Sequence, residues 1–312
     1  MWTVPGGVSE PLQNQHREEI LAEIPRAMEI TRKTLGLFKG MIEQFGPEIE
    51  SFGNFPSYFM GLVTPEGNIE HSRGNLRIVD ENRRIIADQI PPGAYPEFIG
   101  EAVTAYSYLK MPYYKPAGYP DGFYRVGPLA RLNVCDKCGT PEADAELTEF
   151  RQLGAEHNGT VWESFHFHYA RLIEILYALE MMKRLLDDPA ILDKNVRAIA
   201  SPNKREGVGI SEAPRGTLIH HYRIDENGLM KWANLIVATG HNNMAMNRGV
   251  RDVAKRFIQE REIPEGALNR VEALIRCFDP CLSCSTHAIG QMPLMVEYVQ
   301  PDGTVRSRQK RF

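Results

Sequence analysis

Two cysteines three positions apart, Cys281 and Cys284, sit in the run Asp279-Pro280-Cys281-Leu282-Ser283-Cys284-Ser285-Thr286-His287. Thiolates at that spacing can grip one soft metal ion from a single turn of chain, and His287 adds a nitrogen donor for that ion or a second one. Pro280 stiffens the entry, and Asp279 places a carboxylate beside the thiols. On spacing alone, C-x-x-C-x-x-H reads as a functional metal site or, equally, as something blander: half of a structural zinc site, or a thiol pair without function. A second pair, Cys135 and Cys138 in Cys-Asp-Lys-Cys, could complete a zinc ribbon with it. The gap between the pairs far exceeds the usual spacing of roughly 15–20 residues. The expectation for Cys135 and Cys138 is therefore a solvent-exposed loop with two incidental thiols.

Arg215 is framed by Pro214 and Gly216 in Glu212-Ala213-Pro214-Arg215-Gly216. Most arginines are surface residues, yet this framing fixes a backbone that would aim a guanidinium at a site. The segment is expected between Gly-rich irregular chain and a strand. His166 and His168 stand two apart on a helical pattern, so they face different directions and make no i, i+4 metal pair. His220 and His221 are adjacent on a strand and point to opposite faces. All four read as packing or surface residues.

The elements that must carry these groups are legible from apolar spacing. A helix is predicted over 13–45, kinked at Pro25, and strands over 59–63 and 76–79. A helix is predicted over 97–109, followed by irregular chain from Met111 to Gly127. The clearest helix is 163–186, where Phe165, Tyr169, Leu172, Leu176 and Leu179 form one stripe ended by Asp187-Asp188-Pro189. Strands over 216–224 and 229–237 pair around Asn227-Gly228, a hairpin signal. Helices follow over 244–259 and 265–276, and strand-like runs flank Pro301-Asp302-Gly303. The class is mainly α with small β hairpins (α+β).

Composition narrows the partners. The 312 residues carry 36 Lys and Arg against 40 Asp and Glu, a net charge of −4. With no basic block, nucleic acid or an anionic membrane is not the expected partner. Hydrophobic residues at 43% and charged at 24% fit a folded globular chain. No apolar run approaches the length that spans a bilayer. Met1 to Gly7 shows neither the basic nor the apolar part of a signal peptide, so a reducing, cytoplasmic home is expected.

Taken together, these motifs resemble the large, catalytic subunit of nickel–iron hydrogenases. Asp279 to His287 resembles the family's C-terminal Asp-Pro-Cys-x-x-Cys-x-x-His signature, and Glu212 to Gly216 its Glu-Ala-Pro-Arg-Gly segment. Val4-Pro-Gly-Gly7 and Gly127-Pro-Leu-Ala-Arg-Leu-Asn133 also resemble family segments. Ala-Ile-Gly-Gln-Met-Pro-Leu after His287 resembles the cytoplasmic NAD(P)-linked bidirectional branch. The related quinone-reductase subunits of respiratory complex I lack these cysteines.

The resemblance implies the large-subunit fold and heterolytic cleavage or formation of H2. It also implies a nickel ion held by four thiolates, two of them bridging to an iron that carries cyanide and carbon monoxide. Cys281 would be a terminal nickel ligand and first proton acceptor, and Cys284 would bridge the metals. Arg215 with Pro214 would overlie them, Asp279 pairing with the guanidinium. Leu235-Ile-Val-Ala-Thr239 resembles the strand whose hydroxyl meets a cyanide, which assigns that role to Thr239; Ala238 departs from the proline of many relatives. His287 would bind magnesium, with the Leu235 carbonyl as second ligand.

Implied partners are an iron–sulfur small subunit, a flavin/NAD(P) diaphorase module, nickel-insertion proteins and a maturation endopeptidase. The family's N-terminal Arg-x-Cys-Gly-x-Cys motif, with its other two thiolates, has no match here. The expectation is a C-terminal part of a large subunit over 1–287, inactive alone, and an extension over 288–312 removed on maturation. A different class of function, a non-catalytic thiolate metal-binding or assembly protein derived from the family, is the alternative.

Overall fold

The computed structural model describes residues 3–199, 203–258, 263, 265–281, 294–300 and 302–311. A short antiparallel pair, β1 (Thr3–Val4) and β2 (Gly7–Val8), precedes α1 (Asn14–Glu50). The helix buries Ile24, Met28, Thr31 and Leu35, the spacing of one helical face. Helical backbone angles continue through Pro25, where a kink was expected. They break instead at Phe45 (φ −114°, ψ 19°), two residues ahead of Pro47, whose missing N–H and ring disfavour regular helix there.

Strands β3 (Tyr58–Val63), β4 (Asn75–Val79) and β5 (Ile85–Ile90) pair antiparallel. The predicted helix over 97–109 is not formed. A four-residue helix, α2 (Tyr95–Phe98), leads into a hairpin of β6 (Ile99–Thr104) and β7 (Ser107–Tyr114). The β-branched and aromatic residues of this stretch favour a pleated surface. The Tyr113 ring lies over Gly100 so closely that a Cβ there would meet its Cζ at 2.6 Å. Chain expected to be irregular from Met111 is thus strand as far as Tyr114. Beyond it, β8 (Tyr124–Arg125) joins β3 in parallel and closes a sheet of order β5-β4-β3-β8.

Helices α3 (Pro128–Val134), α4 (Pro141–Gln152) and α5 (Phe167–Asp187) form the core with α1. Every residue of α3 is buried, which makes it the central rod of the molecule. α5 carries Tyr169, Leu172, Leu176 and Leu179 of the predicted stripe against the core, while Phe165 lies in a 3-10 turn before it, and the helix ends where Asp188 accepts the Ala190 N–H. After it come β9 (Glu206–Ala213), β10 (Gly216–Ile224) and β11 (Met230–Ile236), an antiparallel sheet of order β11-β10-β9. The Asn227-Gly228 hairpin is as expected, with Gly228 at φ +80°. β9 replaces the irregular chain expected before Glu212. Its alternation was hidden because Gly207 and Gly209 carry no side chain and a carboxylate, Glu212, takes a buried slot.

Helices α6 (Ala238–His241), α7 (Asn243–Phe257) and α8 (Glu265–Phe278) follow, and β12 (Leu294–Val299) pairs with β13 (Val305–Arg311). The class is mixed helix and strand as expected, with sheets of three and four strands rather than hairpins alone. No helix among the described residues is long and apolar enough to cross a membrane.

Candidate metal centre

Pro214 and Arg215 form the two-residue turn between β9 and β10, closed by the pairing of Ala213 with Gly216. Gly216 sits at φ +134°, and a Cβ there would lie 2.2 Å from Val126 Cγ2. Glycine is required at that corner. Pro214 is exposed and Arg215 half-buried, so the turn presents the guanidinium outward from a rigid base. Arg215 Nε donates to the Asp279 backbone carbonyl at 2.6 Å and lies 3.2 Å from its carboxylate Oδ2. Asp279 follows the end of α8 with φ +49°, an uncommon conformation for a residue with a side chain. The two side chains remain 37% and 45% exposed, leaving the pair's outer face open.

Cys281 lies two residues beyond Asp279 and is half-buried. Its backbone N–H donates to Thr239 Oγ1 at 3.0 Å. Thr239 is buried in α6, and the neighbouring residues anchor that short helix to β8 and the chain just after it. The Asn242 side chain accepts the Val126 N–H at 2.9 Å and donates to the Val126 carbonyl at 3.2 Å. Tyr124 OH and His241 Nδ1 are 2.6 Å apart, while His241 Nε2 is buried without a partner. Burial pushes His241 down to about 3. Leu235 lies on β11 opposite His220, with its side chain 47% exposed. Cys284 and His287 lie outside the described residues.

Cys135 and Cys138 are not on an exposed loop. They are 0% and 2% exposed and belong to the core packed around α3. Cys135 follows the carboxyl end of α3, while Gly127, at the other end, would meet the Arg215 carbonyl at 2.9 Å if it carried a Cβ. The seven-residue helix separates the two ends by roughly 10 Å. Arg83 and Arg151 both donate to the Cys135 carbonyl, at 3.3 and 2.6 Å. A hydrogen bond from Cys138 holds the Cys135 thiol below its ordinary value and raises that of Cys138. Burial explains these thiols as small core side chains.

The histidines behave as expected of packing residues. His166 is buried, and burial lowers it to about 4. His168 Nδ1 faces Arg171 at 3.1 Å, and His221 is held between Tyr95 and Glu206. The sequence reading missed Arg131, which is buried beneath the Pro214 turn, and its partners Glu174 and Glu212. Its only sequence signal was the Gly127–Asn133 segment, and that does not indicate burial.

The described residues gather one cysteine sulfur, one buried hydroxyl and one guanidinium–carboxylate pair; Cys281 is disulfide-bonded in this structure, so its sulfur becomes a metal donor once reduced. That donor chemistry fits one wall of a thiolate-bound soft-metal centre: a thiol for the ion and a cation for anionic ligands. It does not make a complete ligand set, since no three His, Cys, Asp or Glu among the described residues converge.

Residues 87–287 match the nickel-dependent hydrogenase family. The NAD-reducing hydrogenase HoxS subunit beta of Cupriavidus necator is 40% identical, over 99% of this chain and 64% of its own length. The vhc F420-non-reducing hydrogenase of Methanococcus voltae has a subunit that is 41% identical, over 93% of this chain and 61% of its own. A crystal structure of an NAD+-reducing NiFe hydrogenase in the H2-reduced state superposes with a TM-score of 0.85 at 38% identity, covering 91% of this chain and 62% of the other. The chain spans about three fifths of the length of these relatives. Residues 87–287, over three fifths of the chain, match the family, and the chain carries that fold with Arg215 paired to Asp279; it belongs to the nickel-dependent hydrogenases.

Proposed function

We propose that this chain supplies one wall of the catalytic centre in the large subunit of a cytoplasmic nickel–iron hydrogenase. The enzyme cleaves or forms H2 heterolytically and exchanges electrons with NAD(P) through an iron–sulfur small subunit, with a flavin module beyond it. The observation that carries this reading is the Arg215–Asp279 pair, two residues along the chain from Cys281. When bound, nickel and an iron carrying cyanide and carbon monoxide supply a redox-active, Lewis-acidic pair that polarises H2. Cys281 and Cys284 would hold them, and Cys281 Sγ would accept the proton. The Arg215 guanidinium, kept in place by Asp279, offers a fixed cation and planar donors to anionic ligands. Pro214 shapes that overhang, and Thr239 offers its hydroxyl to a cyanide. His287 and the Leu235 carbonyl hold magnesium.

In this reading, residues 288–312 form an extension that an endopeptidase removes after nickel-insertion proteins have filled the site, with β12 and β13 as its hairpin. Mass spectrometry of active enzyme should then find His287 as the last residue.

The test is a full-length large subunit, produced together with the assembly proteins and its small subunit. Nickel and iron content and H2-dependent dye reduction should both be present in the wild type and lost in Cys281→Ser. Thiol-dependent metal binding without H2-dependent reduction would replace this reading with that of an assembly or metal-binding protein.

A further inference from the structure

The Pro214-Arg215 turn is held from below by a second arginine. Arg131 is 1% exposed, and all five of its N–H donors are used. Nε and Nη2 grip the two Glu174 oxygens at 2.6 Å each, a bidentate fork. Nη1 donates to Glu212 Oε2 at 2.7 Å. The two remaining donors reach backbone: Nη1 to the Ala213 carbonyl at 3.0 Å and Nη2 to the Pro214 carbonyl at 3.2 Å. A purely structural ion pair would need only the carboxylates. Instead, two donors are spent on consecutive carbonyls of the turn.

We infer that Arg131 is a positioning residue for Arg215. The Pro214 carbonyl lies in the same peptide plane as the Arg215 N–H, so holding that oxygen sets how the plane is rotated. This in turn fixes the direction in which the Arg215 side chain leaves the backbone. The other side of the turn is fixed by the same helix, because Gly127 at the start of α3 packs against the Arg215 carbonyl. Gly127 also accepts the Arg131 N–H at 2.9 Å, one helical turn away. α3 therefore clamps Arg215 from both ends of a single turn. The base is rigid in its own right. Glu212 Oε1 accepts the Leu62 N–H at 3.1 Å and the Thr217 hydroxyl at 2.8 Å, leaving neither carboxylate oxygen unpaired. Burial works against the Arg131 cation, but Glu174 and Glu212 outweigh it and hold the guanidinium above its ordinary value.

Lysine in place of Arg131 keeps the charge but presents three donors from one atom. It cannot span two carboxylates and two carbonyls. The catalytic consequence rests on the role proposed above for Arg215, and the geometric claim does not. The test uses the full-length, metal-loaded enzyme with Arg131→Lys, Arg215→Lys and the double variant. Arg131→Lys should keep nickel and iron, speed amide exchange in the 211–217 peptide, and lower turnover by about 10- to 100-fold, as expected for a misplaced catalytic group. The double variant should lose no more turnover than Arg215→Lys alone, because Arg131 acts only through Arg215. Full multiplication of the two losses would overturn the inference, as would wild-type exchange in that peptide. Should Arg131→Lys not fold, Glu174→Gln loosens the same fork and answers the same three measurements. Should Arg215→Lys itself be silent, the proposed role of Arg215 fails. The exchange measurement then decides alone whether Arg131 holds the turn.

Discussion

The Thr239 hydroxyl accepts the Cys281 backbone N–H at 3.0 Å, joining residues 42 positions apart. That bond anchors the stretch that carries both the sulfur of Cys281 and the carboxylate of Asp279. Thr239→Val keeps the shape but leaves a partly buried donor unpaired, at a cost of about 1–3 kcal/mol. We expect the full-length Val variant to lose nickel faster than wild type on dialysis against a chelator, while Thr239→Ser retains it. Equal retention by Val and wild type would remove Thr239 as an anchor of the loop.

Arg215→Lys should keep nickel and iron yet lose H2-dependent turnover by roughly 10²–10³, the usual effect of removing one preorganised electrostatic partner at a reaction centre. A surface arginine would change stability by under ~0.5 kcal/mol and leave turnover intact. Asp279→Asn should act in the same direction more weakly, since the backbone carbonyl of residue 279 still receives Arg215 Nε. Wild-type turnover in a fully metallated Arg215→Lys enzyme would take Arg215 off the list of catalytic residues.

Replacing both Cys135 and Cys138 with Ser should leave metal content and turnover near wild type, because these thiols lie beyond the far end of α3 from the Arg215 turn. Stability is a separate matter. Two hydroxyls placed in a closed core cost about 1–3 kcal/mol each unless they find partners. The melting temperature should therefore fall while nickel stays stoichiometric. Loss of bound zinc on this replacement would revive the ribbon arrangement.

His166 gives the fold a defined pH dependence. Its folded value of about 4 lies below the ordinary 6.5 because burial disfavours the charged ring, and Nδ1 has no partner. Between those values the unfolded chain binds the extra proton, so stability rises with pH across the window. The contribution is complete above 6.5 and is lost as pH falls toward 4. It is on the order of 3 kcal/mol. His166→Leu should flatten the difference in urea midpoint between pH 4.5 and pH 7 relative to wild type. An unchanged slope would show that the ring is solvated.

Much of this was readable along the chain. The amphipathic spacing of α5, the Asn227-Gly228 hairpin and the strands at 58–63 and 75–79 depend on side-chain period and turn chemistry, which act over a few residues. The Cys281 motif and the Pro214-Arg215-Gly216 framing are equally local, and they named the candidate site. Local reasoning failed where a neighbour overrode it. Residues 99–114 form strands because each one pairs with the other, and Tyr113 covers Gly100. β9 lacks an apolar pattern because its inward slot holds Glu212, a charge that burial permits only with Arg131 opposite it.

The sequence by itself determined which groups are available: a thiol pair, a guanidinium held by proline and glycine, and a family signature that names their metals. Only the tertiary structure decided that Arg215 pairs with Asp279 and that Cys135 and Cys138 are buried as core. It alone brought Arg131, Glu174 and Glu212 together under the turn from three separate elements. The reason is physical. Spacing within a helix or hairpin sets which side chains share a face, whereas a buried ion network exists only when several elements exclude water around the same point.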